Sequence, residues 1–444
     1  MKLLVPPINI SEEDGFLPEI DIFNRKPFGE SLYNLVKNTD DELVLALDAP
    51  WGEGKSTFIK MWQGLLKQKG TCHIYFDAFE NDYQQDPFLA ISSQIYQLID
   101  KDDKDIHQEY KEKATAALKV VGRAGLRIGI KALTAGILDE TILEDTGSVK
   151  DTSTEASNLI DGFISNQLTK ADEDRKSLKV FTEYLSTLSE KIGGDNPVIF
   201  IIDELDRCKP KFALSLLESI KHLFCVPNIT FVLVMNRKQL EESVRCEYGS
   251  GVEAAKYLQK FVSIWTTLPK PEEEYNSISK KYIKNCLNRM NYEITSSTQE
   301  TAIDFFEDIA SYYDLSLREI ERSLTSFAII YNATEGKLNE KYSLMSVFLS
   351  VIKSIKPDIY KKLSNNNISY RELLLDTSLE NLEADWWQGK PEGHPVKWLL
   401  KYYLSTDEEI KELLKEGDYF KVSHNFDRSV IIKICAWLEA FKRT

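Results

Sequence analysis

The sequence predicts an α/β fold: a mainly parallel sheet flanked by helices, a helical insertion, and a mainly α-helical C-terminal region. Three observations predict it. Leu43-Val44-Leu45-Ala46-Leu47 is an apolar run that ends at Asp48 and a small-residue loop, after which Phe58-Ile59-Lys60-Met61-Trp62 reads as a helix. Val198-Ile199-Phe200-Ile201-Ile202 and Ile229-Thr230-Phe231-Val232-Leu233-Val234-Met235 are apolar and rich in β-branched residues, the mark of central parallel strands. Past Pro269 the apolar residues fall at helical spacing over 275–290, 298–312, 315–331 and 344–353.

The first strand, its loop and the following helix have the order that a phosphate-binding P-loop needs. The backbone N–H groups from Trp51 to Lys55 would curl around the β- and γ-phosphates, and the new helix points its positive end at them. Lys55 would reach the same phosphates, and the Ser56 hydroxyl would ligate Mg²⁺. Ala49, Pro50, Trp51, Gly52, Glu53, Gly54, Lys55, Ser56 and Thr57 are therefore the candidate residues for ATP. The loop departs from the common pattern at Ala49, which stands where a first glycine belongs. A residue with a Cβ there requires a turn of negative φ.

The second apolar strand leads into Asp203 and Glu204. Ligands of parallel α/β sheets lie at the carboxyl ends of strands, so these acids land beside the phosphates. Asp203 would hold Mg²⁺, and Glu204 would orient or deprotonate the attacking water. Asn236 ends the neighbouring strand. It is either a sensor of the γ-phosphate or its water, or a plain helix cap.

Pro50-Trp51-Gly52-Glu53-Gly54-Lys55-Ser56 and Ile202-Asp203-Glu204-Leu205-Asp206-Arg207-Cys208 resemble the KAP family of P-loop NTPases, of the additional-strand class that includes AAA+ and STAND ATPases. Smaller matches are Asn24-Arg25-Lys26-Pro27-Phe28, Tyr75-Phe76-Asp77-Ala78-Phe79-Glu80-Asn81, Tyr257-Leu258-Gln259-Lys260-Phe261 with Leu268-Pro269, and Leu317-Arg318-Glu319-Ile320-Glu321-Arg322. The resemblance spans residues 15 to 330. Glu204 departs from it, because the family commonly has a second Asp there. The resemblance implies that Arg318 reports the nucleotide state, with Arg322 as its rival one turn on and pairing with Glu319 as the ordinary alternative. Arg207 either reaches a neighbouring subunit's phosphate or pairs with Asp206.

The net charge of −15 argues against a generally basic nucleic-acid clamp. Hydrophobic residues at 43% and charged residues at 28% are those of a folded soluble chain. The six cysteines show no CxxC pair or metal-ligand rhythm, and no secretory signal is apparent; both features point to reduced thiols in the cytoplasm.

Between the two main motifs, 89–99 reads as a helix and 100–113 as a charged run. Residues 114–138 are small and apolar, but Lys119, Arg123, Arg127 and Lys131 repeat every four residues along one helical face. Four such charges would cost about 2.5–3.5 kcal/mol each inside a bilayer, which disfavours a transmembrane helix. The segment is either a helical hairpin packed on the core or an oligomer interface, or an amphipathic helix at the inner face of the membrane. Residues 140–155 read as an acidic loop, and 156–167 and 177–192 as helices. The aromatic group Trp386, Trp387, Trp398, Tyr402, Tyr403 and Trp437 either packs a core or binds a ligand or bases.

The expected divisions are 1–100 and 193–269 for the two halves of the NTPase core, 101–192 for the insertion, 270–350 for a helical lid and 351–444 for a C-terminal helical domain. The expected function is Mg²⁺-dependent ATP hydrolysis by a molecular switch or motor subunit, homo- or hetero-oligomeric, with a separate effector protein. Family resemblance points to bacterial anti-phage defence. The alternatives are a nucleotide-gated scaffold with little hydrolysis, assembling on a membrane or partner proteins, and a DNA-stimulated ATPase.

Overall fold

The computed structural model describes residues 1–444 except 12, 40, 85, 101–102, 134–152, 195, 271–274, 384–392, 416–428 and 441–444; within helices it describes only the backbone at 122–133, 153–171, 275–277 and 412–415. Helix α1 (Lys26–Lys37) leads into β1 (Leu43–Asp48), α2 (Lys55–Gln68), β2 (His73–Asp77), α3 (Pro87–Leu98), α4 (Lys104–Leu133) and α5 (Ser153–Gly193). There follow β3 (Val198–Asp203), α6 (Pro210–Ser219), β4 (Ile229–Met235), α7 (Arg237–Tyr248), α8 (Ala254–Leu258) and β5 (Ile264–Thr267).

The five strands lie in the order β2-β3-β4-β1-β5, and every pairing is parallel. Strands β1, β3 and β4 are buried on both faces, which is why their sequences are apolar throughout. Alternate residues still divide between the faces. Val44, Ala46, Phe200, Ile202, Phe231 and Leu233 pack with Phe88 of α3, Phe181 of α5 and Leu217 of α6. Leu45, Leu47, Ile199, Ile201, Val232 and Val234 pack with Leu32 of α1 and with Phe58 and Trp62 of α2.

Register puts the chemistry at one edge. Asp48 is opposite Met235, Asp203 is opposite Val234, and Asp77 is opposite Asp203. The residues that follow β1, β3 and β4 therefore emerge side by side, with β4 inserted between the phosphate-loop strand and the acidic strand.

The remaining helices are α9 (Tyr275–Arg289), α10 (Ser297–Tyr312), α11 (Leu317–Ala333), α12 (Glu340–Ile355), α13 (Pro357–Ser364), α14 (Tyr370–Thr377), α15 (Pro395–Leu404), α16 (Asp407–Lys415) and α17 (Val430–Ala440). The apolar faces of all of these except α16 share a separate core, centred on α12, where ten consecutive residues from Ser343 to Ile352 are buried. Trp398 and Tyr403 are buried in that core, and Trp437 packs against it. Trp386 and Trp387 lie outside the described residues.

Several elements differ from the expectation. Residues 156–167 and 177–192 belong to one helix, α5. The link Thr169-Lys170-Ala171-Asp172-Glu173-Asp174-Arg175-Lys176 contains no glycine or proline, so nothing breaks the helix. Residues 153–155 begin that helix rather than end an acidic loop, and the loop expected over 140–152 lies outside the described residues. Helix α4 opens within the expected charged run, and Tyr110 and Ala117 bury its first half against the core. The side chains of Arg123, Arg127 and Lys131 lie outside the described residues. Among the described residues no helix is long and apolar enough to cross a membrane.

Candidate nucleotide site

The strand run of β1 stops at Asp48, and the loop 49–54 turns the chain into α2. Its two positive-φ residues are glycines, Gly52 at 88° and Gly54 at 80°. Both conformations are ones that only glycine adopts without strain. Ala49 is not among the positive-φ residues, so the position without the usual glycine has backbone geometry that a Cβ permits. Its amide instead donates to the Met235 carbonyl and ties the loop to β4. Gly54 is the N-cap of α2, which leaves that helix's first N–H groups directed at the loop's mouth.

Lys55 opens α2. Its Nζ donates to the carbonyl oxygens of Ala49, at 2.5 Å, and Pro50, at 3.1 Å. Burial lowers the Lys55 pKa, while the charges of Asp206, Asp203 and Asp48 oppose that fall.

Across the cleft, β3 ends at Asp203 and not at the second carboxylate. Glu204 lies in the left-handed region, with φ 60° and ψ 25°. Such a backbone is uncommon for a residue with a Cβ and marks a position set by the surrounding structure. The turn aims the Glu204 carboxylate at Arg207, whose Nη1 sits 2.7 Å from Oε1. This corrects the expected Arg207–Asp206 pair. A 3₁₀ turn over Leu205–Arg207 puts position i+3 beside position i, so Arg207 meets Glu204 while Asp206 points elsewhere. Asp206 is buried and accepts a hydrogen bond from the Trp51 indole Nε1 at 2.5 Å.

Asp203 is also buried. Its Oδ1 accepts from the Glu204 amide at 2.8 Å, and its Oδ2 from the Tyr75 hydroxyl at 3.2 Å. Burial raises its pKa, and hydrogen bonds from Ser56, Glu204 and Tyr75 offset part of the rise. The Asp203 carboxylate and Ser56 hydroxyl are hard oxygen donors lining the same cleft, which suits Mg²⁺ completed by phosphate and water oxygens. Among the described residues there is no group of three or more His, Cys, Asp or Glu arranged for a metal.

A carboxyl whose pKa is raised by folding is least unfavourable when protonated. Its burden is absent below the ordinary value of 3.8 and grows as pH rises through the folded value. Asp203→Asn is therefore expected to raise the melting temperature of the ligand-free protein at pH 7, and to raise it less as the pH is lowered. It should also abolish Mg²⁺-dependent stabilisation by nucleotide. Differential scanning fluorimetry with and without both ligands reads the two effects; a lowered melting temperature would contradict the first.

The third wall comes from the helical region. Gly52 lies against the start of α11, and a Cβ built on it would fall 2.8 Å from the Arg318 Cβ. Ser316 and Glu319 form a capping box there, so Glu319 is occupied by the helix end rather than by Arg318. Arg318 forms no ion pair among the described residues and lines the cleft; Arg322 is not part of its lining. The fourth wall is the segment before α1. Arg25 is buried, lies 5.0 Å from the Phe23 ring centroid and donates from Nη1 to the Glu53 carbonyl at 3.2 Å. Burial lowers its pKa to about 10.

The structure thus brings Trp51, Gly52, Gly54, Lys55, Ser56 and Thr57 together with Asp203, Glu204, Arg207 and Arg318 around one cleft of about 200 Å³. Ala49, Pro50 and Glu53 shape the loop without lining the cleft. Asn236 stands at the N-cap of α7 but makes no side-chain cap bond; the first amide of that helix, Arg237, donates to Asp48 Oδ1 at 2.8 Å. Asn236 does not line the cleft either. Sequence reasoning missed site roles for Arg25, Tyr75 and Asp206, as well as Tyr282 with Glu321, which line the cleft and share a 2.6 Å hydrogen bond. Their partners are remote in sequence; motifs contain Arg25, Tyr75, Asp206 and Glu321, and Tyr282 lies only in a helical span.

A parallel sheet with one strand inserted between a phosphate loop and an acidic strand end defines the additional-strand class of P-loop NTPases. The chain belongs to the KAP family: the family's P-loop domain matches residues 25–334. A similar solved structure is the ORC2 protein of Aeropyrum pernix in ADPNP–ADP complexes. It is 13% identical with a TM-score of 0.35, covering 94% of this chain and 95% of that one. No relative was found among curated proteins.

Proposed function

We propose that the chain binds ATP with Mg²⁺ in this cleft and hydrolyses it as a molecular switch. The observation that carries the reading is the convergence of Lys55, Ser56, Asp203 and Glu204 on one cleft from two strands far apart in sequence. The loop amides, the α2 N-terminus and Lys55 would hold the triphosphate. Ser56 and Asp203 would hold Mg²⁺, which supplies charge neutralisation on the phosphate oxygens. Glu204 would take a proton from the attacking water, and Arg318 would sense the nucleotide from the start of α11.

The Glu204–Arg207 ion pair favours slow turnover until Arg207 is drawn away, as expected of a switch awaiting a partner. Family resemblance extends the proposal to a homo- or hetero-oligomer with a separate effector protein in bacterial anti-phage defence. Phosphate release from ATP, with and without Mg²⁺, tests the core of the reading. Mg²⁺-dependent turnover is expected; a wild-type rate no higher than that of Glu204→Gln would overturn hydrolysis.

A further inference from the structure

We propose that Trp51 and Asp206 form a positioning pair that holds the phosphate-binding loop in register with the end of the acidic strand, with Asp206 acting through the Trp51 indole and not on the metal. The proposal rests on the nucleotide-binding reading of the cleft and assigns that site a further pair of residues.

Asp206 is only 4% exposed, an unfavourable place for a carboxylate unless it is well paired. The basic side chain next to it in sequence is engaged elsewhere, because Arg207 pairs with Glu204. Among the described residues the Trp51 indole is the one side-chain donor to the Asp206 carboxylate. Trp51 in turn is 43% exposed, so burial alone does not fix its ring. Each residue thus lacks what the other supplies.

Their positions make that bond consequential. Trp51 sits between Pro50, whose carbonyl accepts from Lys55, and Gly52, which is packed on the start of α11. Phosphate recognition needs the loop amides to converge on one point. A loop with positive-φ glycines at 52 and 54 has other conformations within reach. A hydrogen bond to an ionised acceptor restricts that choice more than a neutral one would. The same bond anchors the turn that follows β3, where Asp206 lies between Glu204 and Arg207 in the chain. Asp206 is also the leading counter-charge on Lys55. One contact therefore joins the loop, whose Pro50 carbonyl holds Lys55, to the turn that follows the acidic strand.

The test is a double-mutant cycle on the full-length protein, with Kd measured by titrating a fluorescent ATP analogue in Mg²⁺. Trp51→Phe keeps the ring and removes the N–H. Asp206→Ala removes the acceptor, and Asp206→Asn keeps an acceptor oxygen. Trp51→Phe and Asp206→Ala are each expected to weaken binding about tenfold. The double variant should be no weaker than Asp206→Ala alone, because both remove the same interaction. Asp206→Asn should stay within about threefold of wild type. Trp51→Phe, at a partly exposed side chain, gives the loop effect even where Asp206→Ala fails to fold. An additive double variant, or unchanged affinity in Trp51→Phe, overturns the pair. Asp206→Asn as damaging as Asp206→Ala, with Trp51→Phe unaffected, would place Asp206 on the metal instead. A wild-type protein that binds no analogue would overturn the nucleotide reading itself, and the pair with it.

Discussion

Glu204→Gln is expected to lower ATP turnover by about 10²–10⁴-fold, the usual contribution of a general base, while nucleotide affinity stays within about threefold of wild type. Gln has nearly the same shape and meets the same backbone demand at φ 60°, so the turn after β3 should survive the exchange. The variant loses the ion pair to Arg207, but that pair is partly solvent-exposed and contributes little to folding. What disappears is the carboxylate able to accept a proton. Burial raises the Glu204 pKa above its ordinary 4.5, while Arg207 pulls it down. A base works only when deprotonated. The wild-type rate should therefore fall as pH drops through a value above the ordinary 4.5, and the residual rate of the variant should lack that acid limb. Steady-state phosphate release across pH, with affinity measured in parallel, checks both points. Equal pH profiles in the two proteins would remove Glu204 from the reaction.

Lys55→Ala is expected to weaken binding of the triphosphate on the order of a hundredfold, equivalent to the upper range of a charge-assisted hydrogen bond. The ammonium already lies at the loop, bonded to the carbonyls of Ala49 and Pro50, and has three donors to share with arriving phosphate oxygens. Neighbouring carboxylates help keep it charged despite burial. The fold should tolerate the loss, because Ala is an excellent first-turn helix residue and Lys55 forms no ion pair among the described residues. Titration with a fluorescent ATP analogue and a melting curve separate affinity from stability. Undiminished affinity would mean that the triphosphate does not lie in the loop.

The sheet and its loop were legible because their signals are local. A buried parallel strand needs a continuous apolar run, and β1, β3 and β4 each have one. Strand β5 escaped notice because it is a four-residue edge strand with exposed ends, made regular only by pairing with β1. The acids of the site were legible by type and spacing, but not by geometry. Nothing local in Ile202-Asp203-Glu204 reveals that the strand stops one residue early, or that Glu204 turns into the left-handed region. That turn decides Arg207's partner and leaves Asp206 to Trp51. The same limit hid the contact of Arg25 with the Glu53 carbonyl and the bond by which Asp48 of β1 takes the first amide of α7.

The most direct test of the site is an experimental structure of the Glu204→Gln protein with ATP and Mg²⁺. The expected result is a triphosphate wrapped by residues 49–57, with Lys55 moved from the Ala49 and Pro50 carbonyls onto phosphate oxygens, Mg²⁺ beside Ser56 and Asp203, and Arg318 facing the nucleotide. A nucleotide bound elsewhere, or none in this cleft at saturating ATP, would contradict it.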